Sequence, residues 1–244
     1  MGQGCYEWIV TYLAVVNGVG IAVPIDKDLS SAEIENLMKK AECSAIFCTR
    51  GEFEKLREVP SAETLVMMDI YGDRTSEDEP PSAQADIPED ASGWRTLLAD
   101  GERMLTEGDI RFTKSEVDPE AVAVILFTSG TTGNPKGVML NHRNITSNIM
   151  DVCRIAHILE SDKTLSILPI HHTYECTLGM LLVLYRGAST AFCEGLKYIT
   201  QNMKEAQNTV FIAVPVSYTH LAGKGFRKRR HFLQYDFFRT GLHL

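Results

Sequence analysis

The stretch AVAVILFTSGTTGNPKGVML, Ala121 to Leu140, decides how this chain is read. Its opening run, Ala121 to Phe127, is apolar throughout and rich in Val and Ile. That composition predicts a central parallel strand covered on both faces. The next residues differ in kind. Thr128, Ser129, Thr131 and Thr132 share one loop with Gly130, Gly133 and Gly137, and Lys136 closes it. Hydroxyls and free backbone N–H groups donate hydrogen bonds to phosphate oxygens, and glycine lets the backbone approach closely. Lysine adds a compact positive charge. Ligands of α/β sheets usually bind at such strand-end loops. The loop is not of the GxxxxGK[ST] type, because Lys136 stands between Pro135 and Gly137. A bare Gly/Ser/Thr cluster commonly marks only a surface turn. The string TSGTTGNPKG is far more specific than such a cluster.

Outward from that loop, short apolar runs alternate with helical periods. Trp8 to Val16 reads as the end of a buried helix, broken by Gly18 and Gly20, with a short strand at Ile21 to Val23. Ser30 and Glu33 form a capping box, with Leu29 and Ile34 as its hydrophobic staple. Ile34, Leu37, Met38 and Ala41 then recur at helical spacing. Ala45 to Cys48 and Leu65 to Met68 read as strands, with a helix at Phe53 to Glu58 between them. Downstream the pattern gives a helix from Trp94 to Leu105, a strand at Val138 to Leu140 and an amphipathic helix from Ile145 to Leu159. It then gives strands at Leu165 to Leu168 and Ala188 to Phe192, helices at Leu178 to Tyr185 and Leu196 to Ala206, and a final strand at Val210 to Val214. This alternation predicts an α/β fold of mostly parallel sheets with flanking helices. Residues 72–92 interrupt it as an acidic, Pro-rich exposed loop.

The chain has 244 residues, 44% of them hydrophobic and 23% charged, with a net charge of -8. These proportions exclude a disordered chain, a collagen and a coiled coil. The acidic balance argues against a general nucleic-acid binder. Six cysteines lie scattered without a CxxC pair, as reduced thiols of a cytoplasmic protein would. No apolar run approaches the ~18 residues of a membrane helix, and the N-terminus lacks a signal-peptide layout. The sequon Asn144-Ile145-Thr146 is accordingly read as unused.

The last residues change character. Residues 1–221 carry a net charge of -13, whereas 222–244 carry +5 with five aromatics. VSYTHL, Val216 to Leu221, is one translation of the transposase end sequence used to build sequencing libraries. We therefore read 1–215 as the natural domain and 216–244 as a non-native tail. If native, Lys224 to Arg230 would instead suggest a basic nucleic-acid arm.

TSGTTGNPKG resembles, at every position, the signature loop of the adenylate-forming superfamily: acyl-CoA synthetases, luciferases and adenylation domains. LAVVNGVGIAVPID (Leu13 to Asp26) resembles that family's upstream segment, and LPIHHTYECTLGML (Leu168 to Leu181) its downstream P-x-x-H segment. LPIHHTYE, LYRGAS and FCEGLKYI look most like the long-chain fatty acyl-CoA synthetase branch. The resemblance implies part of an AMP-binding N-terminal domain that uses Mg2+ and ATP to convert a carboxylic acid into an acyl-adenylate, then transfers the acyl group to CoA. It implies phosphate binding by Thr128, Ser129, Gly130, Thr131, Thr132, Gly133 and Lys136. It also implies that His172 orients the carboxylate or contacts the α-phosphate, with His171 a packed or solvated neighbour and Tyr174 and Glu175 lining the site. No resident metal is expected, since the His171-His172 pair lacks further ligands at suitable spacing.

The family's later Tyr-Gly-x-Thr-Glu and Thr-Gly-Asp segments, its hinge and the lysine of its C-terminal domain have no counterpart here. The chain is therefore expected to be an internal fragment, inactive alone and poorly soluble through exposed sheet edges and apolar faces. Two other readings stay open: an aryl- or amino-acid-adenylating enzyme, and a non-catalytic nucleotide-binding module.

Overall fold

The computed structural model describes residues 1–62, 64–68, 91–128, 134–212 and the backbone of 232–233. The chain divides into two units, Met1–Asn144 and Ile145–Leu244.

In the first unit α1 (Tyr6–Ala14) runs into a wider π-helical segment, Val15–Val19. Gly18 kinks it at a φ of +128°, a conformation that favours glycine, and a Cβ there would stand 2.1 Å from Ser115 Oγ. The strand expected at Ile21 to Val23 reduces to a single parallel bridge between Ala22 and Val124. Pro24 follows immediately and lacks the N–H that would continue a ladder. α2 (Ser31–Lys40) begins at Ser30 with both halves of the capping box in place. Ile34, Leu37 and Met38 turn inward from it, while Ala41 is only half-buried. They pack against β1 (Ala45–Cys48), α3 (Phe53–Leu56) and β2 (Thr64–Met67), with Ile34 and Cys48 fully enclosed.

β1, β2 and the two-residue β3 (Ser92–Gly93) form a parallel sheet in that order. The expected acidic loop lies outside the described residues except at 91–92, and Ser92 belongs to β3 rather than to a loop. α4 (Trp94–Thr106) buries only Trp94, whose Nε1 donates to Thr11 Oγ1 on α1 at 3.0 Å. Leu98 and Leu105 remain exposed on it.

β4 (Val122–Thr128) corrects the reading of Ala121 to Phe127 as a central parallel strand. It forms an antiparallel hairpin with β5 (Lys136–Asn141), and only Ala123 and Val124 are buried. An apolar run reports an affinity for burial, not the direction of its neighbour. The Ala22 bridge, at 2.9 Å both ways, is the parallel contact β4 does make. Asn141 and Asn144 exchange backbone-to-side-chain bonds of 3.0 and 2.8 Å, a reciprocal cap for α5 (His142–Cys153). That helix begins and ends earlier than the periodicity indicated.

In the second unit β6 (Lys163–Ser166) pairs in parallel with β7 (Ser189–Phe192). Between them run a π-helical segment, Glu175–Leu181, and α6 (Leu182–Tyr185). Leu178, Leu182 and Val183 pack on Ile149 and Ile158. α7 (Ile199–Ala206) covers Leu165 and Phe211 with Ile199 and Met203. Val210 bridges to Thr164, and β8 (Phe211–Ile212) is not the last strand: it pairs in parallel with β9 (Phe232–Leu233). Val214 lies outside the described residues. All six cysteines are free thiols. No helix among the described residues is long and apolar enough to cross a membrane.

Candidate active site

The hairpin brings together the two ends of the TSGTTGNPKG loop. Thr128, the last residue of β4, and Lys136, the first of β5, are register partners across the ladder. Both are exposed, and Ser129, Gly130, Thr131, Thr132 and Gly133 between them lie outside the described residues. Among the described residues no carboxylate pairs with Lys136. Gly137 lies so close to β4 that a Cβ there would be 3.1 Å from Ile125 Cγ2.

One residue that sequence reasoning missed holds the exit of the loop. Lys40, at the end of α2, donates from Nζ to Asn134 Oδ1 at 3.0 Å and to the Pro135 carbonyl at 2.6 Å. Its partners lie more than ninety residues away in sequence, and no local pattern announces such a contact. At the far end of the hairpin Glu120 accepts hydrogen bonds from Arg143 and from Asn141 Nδ2. His142 Nε2 lies 2.9 Å from the Val16 carbonyl in the upstream segment. The sequence segments ending at Asp26 and beginning at Ala121 are thus joined directly, through Ala22 and Val16.

The downstream segment belongs to the second unit. His172 is exposed and His171 half-buried, with ring centroids 5.4 Å apart. The His172 N–H donates to the Pro169 carbonyl at 3.0 Å, and its own carbonyl accepts from Cys176 N–H at 2.9 Å. His172 therefore stands at the hinge between a turn and the helix that follows. Tyr174 is half-buried. Glu175 is 1% exposed and packs among core side chains, so in this unit it is a buried bracket rather than an open wall residue. Its Oε1 accepts from Ser166 Oγ at 2.5 Å, while Oε2 is buried without a partner among the described residues. Burial pushes this carboxyl up to about 7, only partly offset by the Ser166 hydrogen bond. Ser166 was not singled out from the sequence. The available signal was Glu175 itself, a charge at the start of an apolar run.

Among the described residues no group of three or more His, Cys, Asp or Glu side chains could hold a metal. A cavity of about 480 Å³ in the first unit, lined by Trp8, Tyr12, Val15, Ile25, Met38 and Met68, contains none of the expected site residues.

The sequence pattern of AMP-binding enzymes matches residues 1–240. The chain belongs to the AMP-binding enzyme family. Among curated AMP-binding relatives it is 30% identical over 221 residues to long-chain-fatty-acid–CoA ligase 1 of Cavia porcellus, covering 86% of this chain and 30% of that protein. It is 27% identical to the peroxisomal long chain acyl-CoA synthetase 7 of Arabidopsis thaliana, over 88% of this chain and 30% of that one. The chain thus spans about 30% of the length of these relatives. In solved structures, a red emitting luciferase from Phrixothrix hirtus superposes with a TM-score of 0.71 at 16% identity, over 91% of this chain and 52% of that one. A long-chain-fatty-acid-CoA ligase from Archaeoglobus fulgidus gives 0.67 at 21%, over 91% and 40%. The fold is that of the N-terminal domain of these adenylate-forming enzymes.

Proposed function

We propose that this AMP-binding chain supplies the phosphate-holding and acid-facing parts of a ligase that activates a long-chain fatty acid as its acyl-adenylate and passes the acyl group to CoA. The observation that carries the reading is the hairpin mouth. Thr128, which opens TSGTTGNPKG, and Lys136, its next-to-last residue, are a register pair, and the exposed lysine has no described carboxylate beside it. Attack of the fatty carboxylate on the α-phosphate of ATP expels pyrophosphate, so negative charge gathers on the phosphates in the transition state. Donors and a cation fixed beforehand stabilise that charge without reorganising. Thr128 to Gly133 and Lys136 take that role, and His172 orients the carboxylate or contacts the α-phosphate. Magnesium, bound to the nucleotide, would screen its phosphates; the described residues offer it no cluster of their own. The long-chain assignment rests on LPIHHTYE and on the names of the curated relatives.

Three further readings belong to the same proposal. The 244-residue polypeptide does not turn over alone, since it spans 30% of the relatives' length. Its compartment is the cytoplasm, supported by six free cysteines. Residues 1–215 form the AMP-binding part and 216–244 a non-native tail; genomic DNA encoding VSYTHL without the transposase sequence would refute that division.

Equilibrium binding of MgATP tests the central reading. The chain should bind it, and Lys136→Ala should weaken binding about tenfold through loss of a point charge on phosphate. Equal affinity for both proteins refutes the assignment of the loop. Fatty-acid-dependent ATP–pyrophosphate exchange above the Lys136→Ala level refutes the inactivity of the isolated polypeptide.

A further inference from the structure

The second unit spends stability on a carboxyl that the adenylation reading leaves without a task. Glu175 is 1% exposed, yet among the described residues only one of its oxygens has a partner. A buried polar atom left unsatisfied costs about 1–3 kcal/mol and calls for an explanation. The surroundings are shaped to hold it. Gly179, one turn further on, has no side chain where the carboxyl lies; a Cβ there would stand 2.7 Å from Glu175 Cδ and 2.8 and 2.9 Å from its oxygens. The helix is widened to π geometry from Glu175 onward, an arrangement that often marks functional positions.

The partner explains the location. Ser166 is the last residue of β6, and its carbonyl accepts from Cys193 N–H at 3.0 Å, just past the end of β7. Glu175 therefore reaches back to a strand end already fixed in the sheet. Between Ser166 and Glu175 run the eight residues ILPIHHTY, which carry His172. The 2.5 Å bond closes the base of that connection. Two backbone bonds then set His172 inside it: its N–H to Pro169 and its carbonyl from Cys176, the residue next to Glu175.

We infer that Glu175 and Ser166 form a buried clip that closes the connection between β6 and the π-helix and so fixes the position of His172, making Glu175 a positioning residue for the carboxylate-activating step. The claim rests on the adenylation reading for what His172 does. The clip itself is measured without any ligand.

Amide hydrogen exchange and the His172 ring-proton NMR signals of the ligand-free 244-residue chain test it. Glu175→Gln keeps an acceptor for Ser166 and the shape of the neutral acid, so exchange over residues 167–174 should stay within about twofold of the parent. Ser166→Ala should accelerate exchange there about tenfold and move the His172 signals, leaving β7 and α7 unchanged. Glu175→Leu should do the same or more. If Glu175→Leu does not fold, Ser166→Ala decides. Unchanged exchange over 167–174 in Ser166→Ala overturns the clip. So does acceleration spread evenly over the whole unit, which would mark a general structural role. Failure of the adenylation reading is distinguishable: it appears as MgATP affinity indifferent to Lys136→Ala, whatever the exchange of the His172 connection.

Discussion

The two candidate segments, one in each unit, are built by opposite strategies. The hairpin mouth of the first unit is exposed, and it is held by backbone register and by surface contacts such as Lys40 with Asn134 and Pro135. The His172 connection of the second unit is closed from beneath by a carboxyl that is 1% exposed. Exposed hydrogen bonds are exchanged with water almost evenly and contribute little each. A buried polar pair is costly to form and costly to break. The hairpin mouth, proposed to hold phosphate, should therefore tolerate single substitutions in its supports, and the His172 connection should not.

The strongest way to break this contrast is at Gly179. A leucine there places atoms where the Glu175 carboxyl lies, so Gly179→Leu should destabilise the second unit by at least about 3 kcal/mol in a urea melt. A loss below 1 kcal/mol would mean the carboxyl is free to move aside.

Acidity offers the next test. The folded-state carboxyl of Glu175 is raised to about 7 from 4.5, so between those values the folded protein keeps a proton that the unfolded chain has lost. Stability is then fully present below about pH 4.5 and is lost as pH rises through 7, by about 3 kcal/mol. Glu175→Gln should flatten this part of the pH–stability curve. A Glu175→Gln curve parallel to the parent's would remove the buried carboxyl from the account.

Ser30 sharpens the comparison from the other side. Its hydroxyl accepts from Glu33 N–H, and the Glu33 carboxylate answers on the Ser30 N–H at 2.9 Å. Ser30→Ala should cost about 1 kcal/mol, read in the first unit alone. The smallest effect belongs to Lys40→Met, which should leave the melting curve within 0.5 kcal/mol, as for other surface changes, and weaken MgATP binding about twofold to threefold. A tenfold loss would make the exposed side as dependent on a single support as the buried one.

Legibility followed the range of the interactions. The Ser30–Glu33 cap spans three residues and was visible in the letters, as was the family, which TSGTTGNPKG carries in its residue types and spacing. Ala45 to Cys48 was located because a short buried strand between turn residues leaves a local trace. β4 was located but its neighbour was misjudged, since apolar composition says nothing of pairing direction. The helix assigned from Leu196 begins only at Ile199, after Gly195 at a φ of +136°. The clip was invisible because Ser166 and Glu175 stand nine residues apart across a non-periodic turn, and only the folded sheet brings them together. Lys40 is the extreme case, meeting its loop across ninety-four residues.

The clip also predicts how this protein would respond to selection for heat resistance alone. Replacing a buried polar pair by apolar groups of similar shape is often neutral or stabilising. A library screened only for survival at high temperature should thus enrich Ser166→Ala together with Glu175→Met. Those robust survivors would have exchanged a placed imidazole for thermal tolerance, and the frequency of that exchange would measure how much robustness the natural sequence forgoes at this one turn.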